Sequence, residues 1–263
     1  MTHAAFPPRP LPTGMLPCRA VIFDLDDTLI DSAGVLVPAG HRQAAVAMVA
    51  AGLKASVEDV VRARMELFAQ DPRADLEARV LARFGATDPA IALAGKVAYH
   101  KPLVPSEGLA LPGAHAMLRR LMRDYPLFLV TRGDTAAQAD KARKAKLVGS
   151  FDQIVYVPLA SDKRAAFTAL LGRMGLAGGE CVAIGDRPDA EIAAANALGM
   201  WTVRVHRGEF AALVPRTADE VPHWTVTDVR EVQPLLLAHF APSPERRVVR
   251  EPASPAATEG SGA

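Results

Sequence analysis

The stretch Val21-Ile22-Phe23-Asp24-Leu25-Asp26-Asp27-Thr28-Leu29-Ile30-Asp31-Ser32 constrains this chain more than any other. An apolar run breaks off into carboxylates at Asp24, Asp26 and Asp27, followed by Thr28. Such a run reads as a buried parallel strand whose C-terminal end opens into a loop. In open α/β sheets ligands bind at that end. With a side-chain period near two, Asp24 and Asp26 can project to one side. Two carboxylates about 4 Å apart at an effective dielectric near 20 repel by about 4 kcal/mol. A site tolerates this where a cation neutralises them or one carboxyl holds a proton for catalysis. The plain alternative is a strand followed by an acidic solvated turn.

Three further segments follow in order. Leu127-Phe128-Leu129-Val130-Thr131 is a second apolar run, ending in a hydroxyl and then Arg132-Gly133-Asp134. Ser161-Asp162-Lys163 precedes a helical pattern of Ala166, Phe167, Leu170 and Leu171. Cys181-Val182-Ala183-Ile184-Gly185-Asp186 is a third run ending in a carboxylate, with Asp189 and Glu191 close behind. Singly, Thr131 and Asp186 read as helix N-caps and Lys163 as a solvated lysine. Together they put two carboxylates, a hydroxyl, an ammonium and a third carboxylate at strand ends and nearby loops of one sheet.

The remaining pattern sets the organisation. Strands are expected at 20–24, 127–131, 153–157, 181–184, 201–205 and 224–227, with helices between them and a closing helix to about Phe240. That alternation predicts an α/β fold with a doubly wound parallel sheet. Between Ser32 and Ser106 no strand signal stands out. Helices are expected at 40–51, from Ser56 as N-cap, at 75–84 and at 89–100. A block of about 75 residues is too long for a loop and reads as a separate helical module. The expected division is a flexible Pro-rich leader at 1–17, an α/β core at 18–32 and 106–240, a helical module at 33–105 and a disordered tail at 241–263.

In motif order and spacing, residues 18–240 resemble the haloacid dehalogenase (HAD) superfamily of phosphohydrolases. The resemblance implies a Rossmann-like core, with the helical block as a cap inserted after the first catalytic strand. It implies an Asp24 nucleophile and an aspartyl-phosphate intermediate. Asp26 would be the general acid and then the base toward water. Mg²⁺ would sit on Asp24, Asp186 and the backbone carbonyl of Asp26, an oxygen set that suits this hard cation. Thr131 would bind phosphate and Lys163 would neutralise the Asp24–phosphate pair. Arg132 either touches substrate or pairs with Asp134. Thr28 and Asp31 would support the loop. The family's usual second acid lies four or five residues after the first. Here Asp189 stands at plus three and Glu191 at plus five, so either can fill that place.

Asp26 argues against dehalogenase and phosphonate-hydrolase chemistry, because relatives of those classes lack it. Asp27-Thr28 replaces the Gly-Val usual in sugar phosphomutases. A Mg²⁺-dependent phosphomonoesterase acting on a small phosphorylated metabolite is the expected function. A phosphotransferase or phosphomutase, and a non-catalytic binding or regulatory member, are the rival classes. His41, Arg42, Tyr99, His100 and Lys101 are cap residues able to read a leaving group, and spacing does not choose among them. His115 has no partner at metal-ligand spacing.

Composition removes other classes. A formal net charge of +1 gives no reason to expect a nucleic-acid partner. No run approaches 18 apolar residues, so no membrane span is expected. The first 17 residues hold five prolines and no continuous apolar core, so no signal peptide is expected. Cys18 and Cys181 read as reduced core thiols, which suits the cytoplasm and leaves a disulfide or zinc site unexpected. The Arg246-Arg247-Val248-Val249-Arg250 patch reads as part of a solvated tail. No P-loop, HExxH or GxSxG motif occurs.

Overall fold

A computed structural model describes residues 6–101, 104–105, 107–158 and 162–242. Ser106, Ser161, the first five residues of the leader and residues 243–263, including the arginine patch, lie outside the described residues. The main sheet has six parallel strands in the order β4-β3-β2-β5-β6-β7. These are β2 Ala20–Phe23, β3 Leu127–Arg132, β4 Gln153–Val157, β5 Cys181–Gly185, β6 Trp201–Val205 and β7 Trp224–Val226. The order reverses at β2, so the crevice of the doubly wound fold opens at the C-terminal ends of β2 and β5.

The strands bury both faces, as their unbroken apolar runs require. Val21, Phe23, Leu127, Leu129, Val182 and Ile184 face one core with α5 (Ala114–Asp124) and α9 (Val232–His239). Their neighbours Ala20, Ile22, Phe128, Val130, Cys181 and Ala183 face a second core with α7 (Lys163–Met174) and α8 (Ala193–Asn196). Helix α6 (Thr135–Lys144) follows β3. Both cysteines are free and buried. No helix among the described residues is long and apolar enough to cross a membrane.

Residues 32–101 carry no strand. A π-helical turn at Ser32–Leu36 runs into α1 (Val37–Ala50), with Pro38 in its first turn where a missing N–H costs nothing. Then come α2 (Val57–Gln70), α3 (Leu76–Arg83) and α4 (Pro89–Tyr99). Ser56, Asp75 and Asp88 cap the last three by accepting from backbone N–H groups. These helices share a core of their own, built on Met48, Val60, Leu67, Val80 and Ile91.

The leader and tail differ from expectation at their inner ends. Leu16–Cys18 forms β1 and pairs in parallel with β8 (Phe240–Pro242), and Arg9 donates to the carbonyls of Val221 and Ala218. Residues 9 and 16–17 are therefore tethered rather than free, and 241–242 are strand rather than tail. Pro17 fits because the pair is two strands wide and proline can occupy an edge.

His41 is buried in α1 between Phe68 and Tyr99, and its Nδ1 finds no partner among the described residues. Burial, helped by Arg64, holds its imidazole down to about 4 from 6.5. The unfolded chain therefore takes up this proton first. Stability present above pH 6.5 should fall by about 3 kcal/mol as pH drops toward 4. Urea unfolding of the wild type and His41→Leu at pH 7 and pH 4.5 checks this. An equal acid-induced loss in both proteins would refute the assignment.

Candidate active site

Asp24 follows β2 directly, and its N–H donates to the Ile184 carbonyl at 2.9 Å, continuing the ladder to β5. The chain then turns sharply. Asp27 takes a left-handed φ of 52°, and the N–H groups of Leu29 and Ile30 fold back onto the Leu25 carbonyl. Asp27 itself points into the protein, where its carboxylate accepts from the N–H groups of Ala33 and Glu209. Thr28 is buried beneath the turn, and Asp31 accepts from Gly34 N–H and Arg207.

Four of the expected groups meet here. Lys163, the first residue of α7, donates from Nζ to Asp24 Oδ1 at 2.5 Å and to Glu191 Oε2 at 3.0 Å. Asp186 follows β5. One carboxylate oxygen from each of Asp24, Asp186 and Glu191 lies within 4.8 Å of the others, and all three residues are buried. Gly185 permits the approach, since a Cβ there would sit 2.1 Å from Glu191 Cγ. The Asp186 carboxylate has neither hydrogen bond nor ion pair among the described residues.

The electrostatics follow. Burial, with Glu191 and Asp24 adding to it, pushes the Asp186 carboxyl well above the usual range. Burial raises Asp24 to about 7 against the pull of Lys163. Burial also pushes Glu191 upward, but Lys163 and the Arg187 N–H outweigh it and hold the group low. One ammonium thus faces three carboxylates, an excess of negative charge that a second cation would remove.

Of the two possible second acids, geometry brings Glu191 into the cluster. Asp189 turns away to Arg187 (3.1 Å) and Arg73 (3.2 Å). The π-helical turn at Pro188–Ile192 sets this phase, with Glu191 Oε1 accepting from Arg187 N–H at 2.6 Å.

The Asp26 side chain lies outside the carboxylate cluster. Lys141 Nζ donates to both its oxygens, at 2.8 and 3.1 Å; Gln138 Nε2 donates at 3.0 Å, and Ser32 Oγ also donates. Burial works to raise this carboxyl, yet Lys141 and the other donors hold it below the usual range. Sequence reasoning missed Ser32, Gln138 and Lys141. Gln138 and Lys141 share a face of α6 by their i, i+3 spacing. In the sequence they read as ordinary solvated helix residues, yet both are buried.

Thr131 is the penultimate residue of β3, one strand over, with a buried hydroxyl that has no partner among the described residues. Arg132 lines the cleft. Asp134 caps α6 and pairs with Lys101 at 3.5 Å, so Arg132 is not its ion-pair partner. Tyr99 and His100 also line the cleft. His41 sits behind Tyr99, Arg42 is exposed and paired with Glu58, and His115 on α5 does not line the cleft. Glu209, which sequence reasoning also missed, lines it too.

A family model for haloacid dehalogenase-like hydrolases matches residues 18–199. The chain belongs to that family. This HAD-like chain is 32% identical over 230 residues to a glyceraldehyde 3-phosphate phosphatase of Methanopyrus kandleri, covering 81% of this chain and 95% of the relative. A protein of the same name from Methanocaldococcus jannaschii is 29% identical, with the same coverage. In structure it is similar to a HAD-hydrolase of Bacillus subtilis bound to magnesium, with a TM-score of 0.59 and 16% identity over 84% of this chain and 99% of that one. That likeness bears on the fold alone.

Proposed function

We propose that this chain is a magnesium-dependent phosphomonoester hydrolase that acts on a small phosphorylated metabolite through an aspartyl-phosphate. The observation that carries the reading is the buried Lys163 shared by Asp24 and Glu191, beside an Asp186 carboxylate without a partner among the described residues. Three buried carboxylates around one ammonium are a poor design for stability alone. They suit a divalent ion with hard oxygen ligands. Asp24 and Asp186 would hold it, with the Asp26 carbonyl, and Glu191 would hold Lys163 in place. The ion would supply charge neutralisation for an incoming phosphate.

The residues divide the chemistry. Asp24 attacks phosphorus, and the ester oxygen leaves with a proton from Asp26. Asp26 then takes a proton from the water that cleaves the acyl phosphate, which restores Asp24. Its pairing with Lys141 favours the ionised form that this second half needs. Lys163 balances the charge of the Asp24–phosphate pair, and the Thr131 hydroxyl donates to a phosphate oxygen. The helical module of residues 37–100 acts as a cap, contributing Tyr99 and His100 to the cleft.

The size of the cleft, about 180 Å³, lies well under the range for drug-sized ligands. It suits a phosphorylated three-carbon compound. The two relatives named glyceraldehyde 3-phosphate phosphatase, matched over 95% of their length, point to the same class.

The test is phosphate release from a panel of phosphomonoesters, with Mg²⁺ or with EDTA. Release should require Mg²⁺ and rank triose phosphates above nucleotides. Transfer of phosphate between sugar positions without net release would replace this reading with a mutase. No turnover of any ester would remove the hydrolase assignment.

A further inference from the structure

Glu209 is a carboxyl that the proposed chemistry does not use, and it lines the same cleft as Asp24 and Asp26. Its place is fixed from two sides. Its N–H donates to Asp27 Oδ2 at 3.1 Å, which seats its loop against the turn after β2. Gly208 makes that contact possible, with a φ of 76° and no room for a Cβ, which would meet Asp27 Cγ at 2.2 Å. From the other side, the Tyr99 hydroxyl at the end of α4 donates to Glu209 Oε1 at 2.5 Å. The Tyr99 ring is itself packed by His41 and His100, with the Arg64 guanidinium over its face at 5.6 Å.

One oxygen of this carboxyl is therefore held, and the other, Oε2, has no partner among the described residues. No cation pairs with it there either. Burial raises the carboxyl to about 7, against the opposing hydrogen bond from Tyr99. Close to neutrality the group is thus only partly charged, which suits a neutral hydroxyl better than an ammonium and limits its repulsion of a phosphate.

We propose that Glu209 is a specificity residue whose free Oε2 accepts a hydrogen bond from a hydroxyl of the leaving group, so that the cleft selects phosphate esters of polyols. This rests on the phosphatase reading above. It adds the feature of the substrate that is recognised and the group that recognises it. Tyr99 is the positioning residue that orients the carboxyl.

The experiment compares kcat/KM for glycerol 3-phosphate, propyl phosphate and phosphoethanolamine, with p-nitrophenyl phosphate as a reporter of bare phosphatase activity. The wild type should favour glycerol 3-phosphate over propyl phosphate by about 10- to 100-fold, the worth of one hydrogen bond to a strong acceptor. Glu209→Met, which removes the acceptor at similar size, should bring that ratio close to one. Glu209→Gln, whose single amide oxygen is taken by the Tyr99 hydroxyl and whose NH₂ at the free position can only donate, should keep less of the ratio than the wild type. Tyr99→Phe should lower the ratio by freeing the carboxyl to rotate, and it decides the matter if Glu209→Met does not fold. An unchanged ratio in Glu209→Met, or in Tyr99→Phe where that variant decides, overturns the proposal. So does a wild-type preference for phosphoethanolamine over glycerol 3-phosphate. Hydrolysis of p-nitrophenyl phosphate with no hydroxyl preference overturns the specificity role alone. No release from any of the four esters overturns the phosphatase reading and this proposal with it.

Discussion

Asp24→Asn should abolish phosphate release while leaving the fold as stable as before, or more so. Loss of a catalytic nucleophile costs on the order of 10⁶ in kcat where it has been measured. Asn keeps the shape and an oxygen for Lys163, but its amide cannot form the acyl phosphate. The stability half of the expectation comes from the charges. Asp24 and Glu191 both push the Asp186 carboxyl up, and Asp24 itself is raised to about 7 by burial. Removing one of three crowded carboxylates relieves that repulsion, and Lys163 keeps its 3.0 Å contact with Glu191. Active sites commonly trade stability for function in this way. Mg²⁺-dependent turnover and thermal unfolding of the purified variant, measured side by side, decide the point. Residual kcat above about 1% of wild type would exclude Asp24 as the nucleophile. A lowered unfolding midpoint would show that the cluster is held together by attraction to Lys163 rather than strained by repulsion.

The legibility of this site follows strand ends. Asp24, Thr131 and Asp186 each sit where an apolar run stops, and a parallel strand buried on both faces leaves that signature in the sequence. Lys163 was readable because a helix start follows it. The choice between Asp189 and Glu191 was not readable, since it depends on a π-helical turn and on Arg73, which claims Asp189 from 116 residues away. Lys141 and Gln138 were hidden for another reason. A polar helix face turned toward a half-buried carboxylate has the same composition as one turned toward water. The Tyr99–Glu209 contact spans 110 residues and joins a helix end to a loop, so no local pattern announces it. Strand β1 escaped notice because three residues containing a proline carry almost no strand signal, and its partner lies at the far end of the described chain.

Asp26→Ala should separate esters by their leaving groups. An alkyl phosphate must expel a strongly basic alkoxide, and loss of a positioned acid costs about 10²- to 10⁴-fold. An aryl phosphate expels a weakly basic phenolate and needs little help, so its loss in kcat should stay within about tenfold. The structure adds a condition to this comparison. The Asp26 carboxylate is the acceptor for Lys141, Gln138 and Ser32, and Lys141 and Gln138 are buried. Ala leaves those donors without it. Because the carboxylate is 30% exposed, water can reach part of the gap, and the stability cost should be about 1 kcal/mol rather than that of a fully buried pair. Asp26→Asn controls for this: its amide keeps an acceptor for Lys141 but cannot carry the proton. Both variants should therefore show the same contrast between alkyl and aryl esters, although only Ala loosens the fold. Equal losses on both kinds of ester would remove the acid role. A loss in Ala that Asn restores would assign Asp26 to holding Lys141 and the start of α1 in place, not to proton transfer.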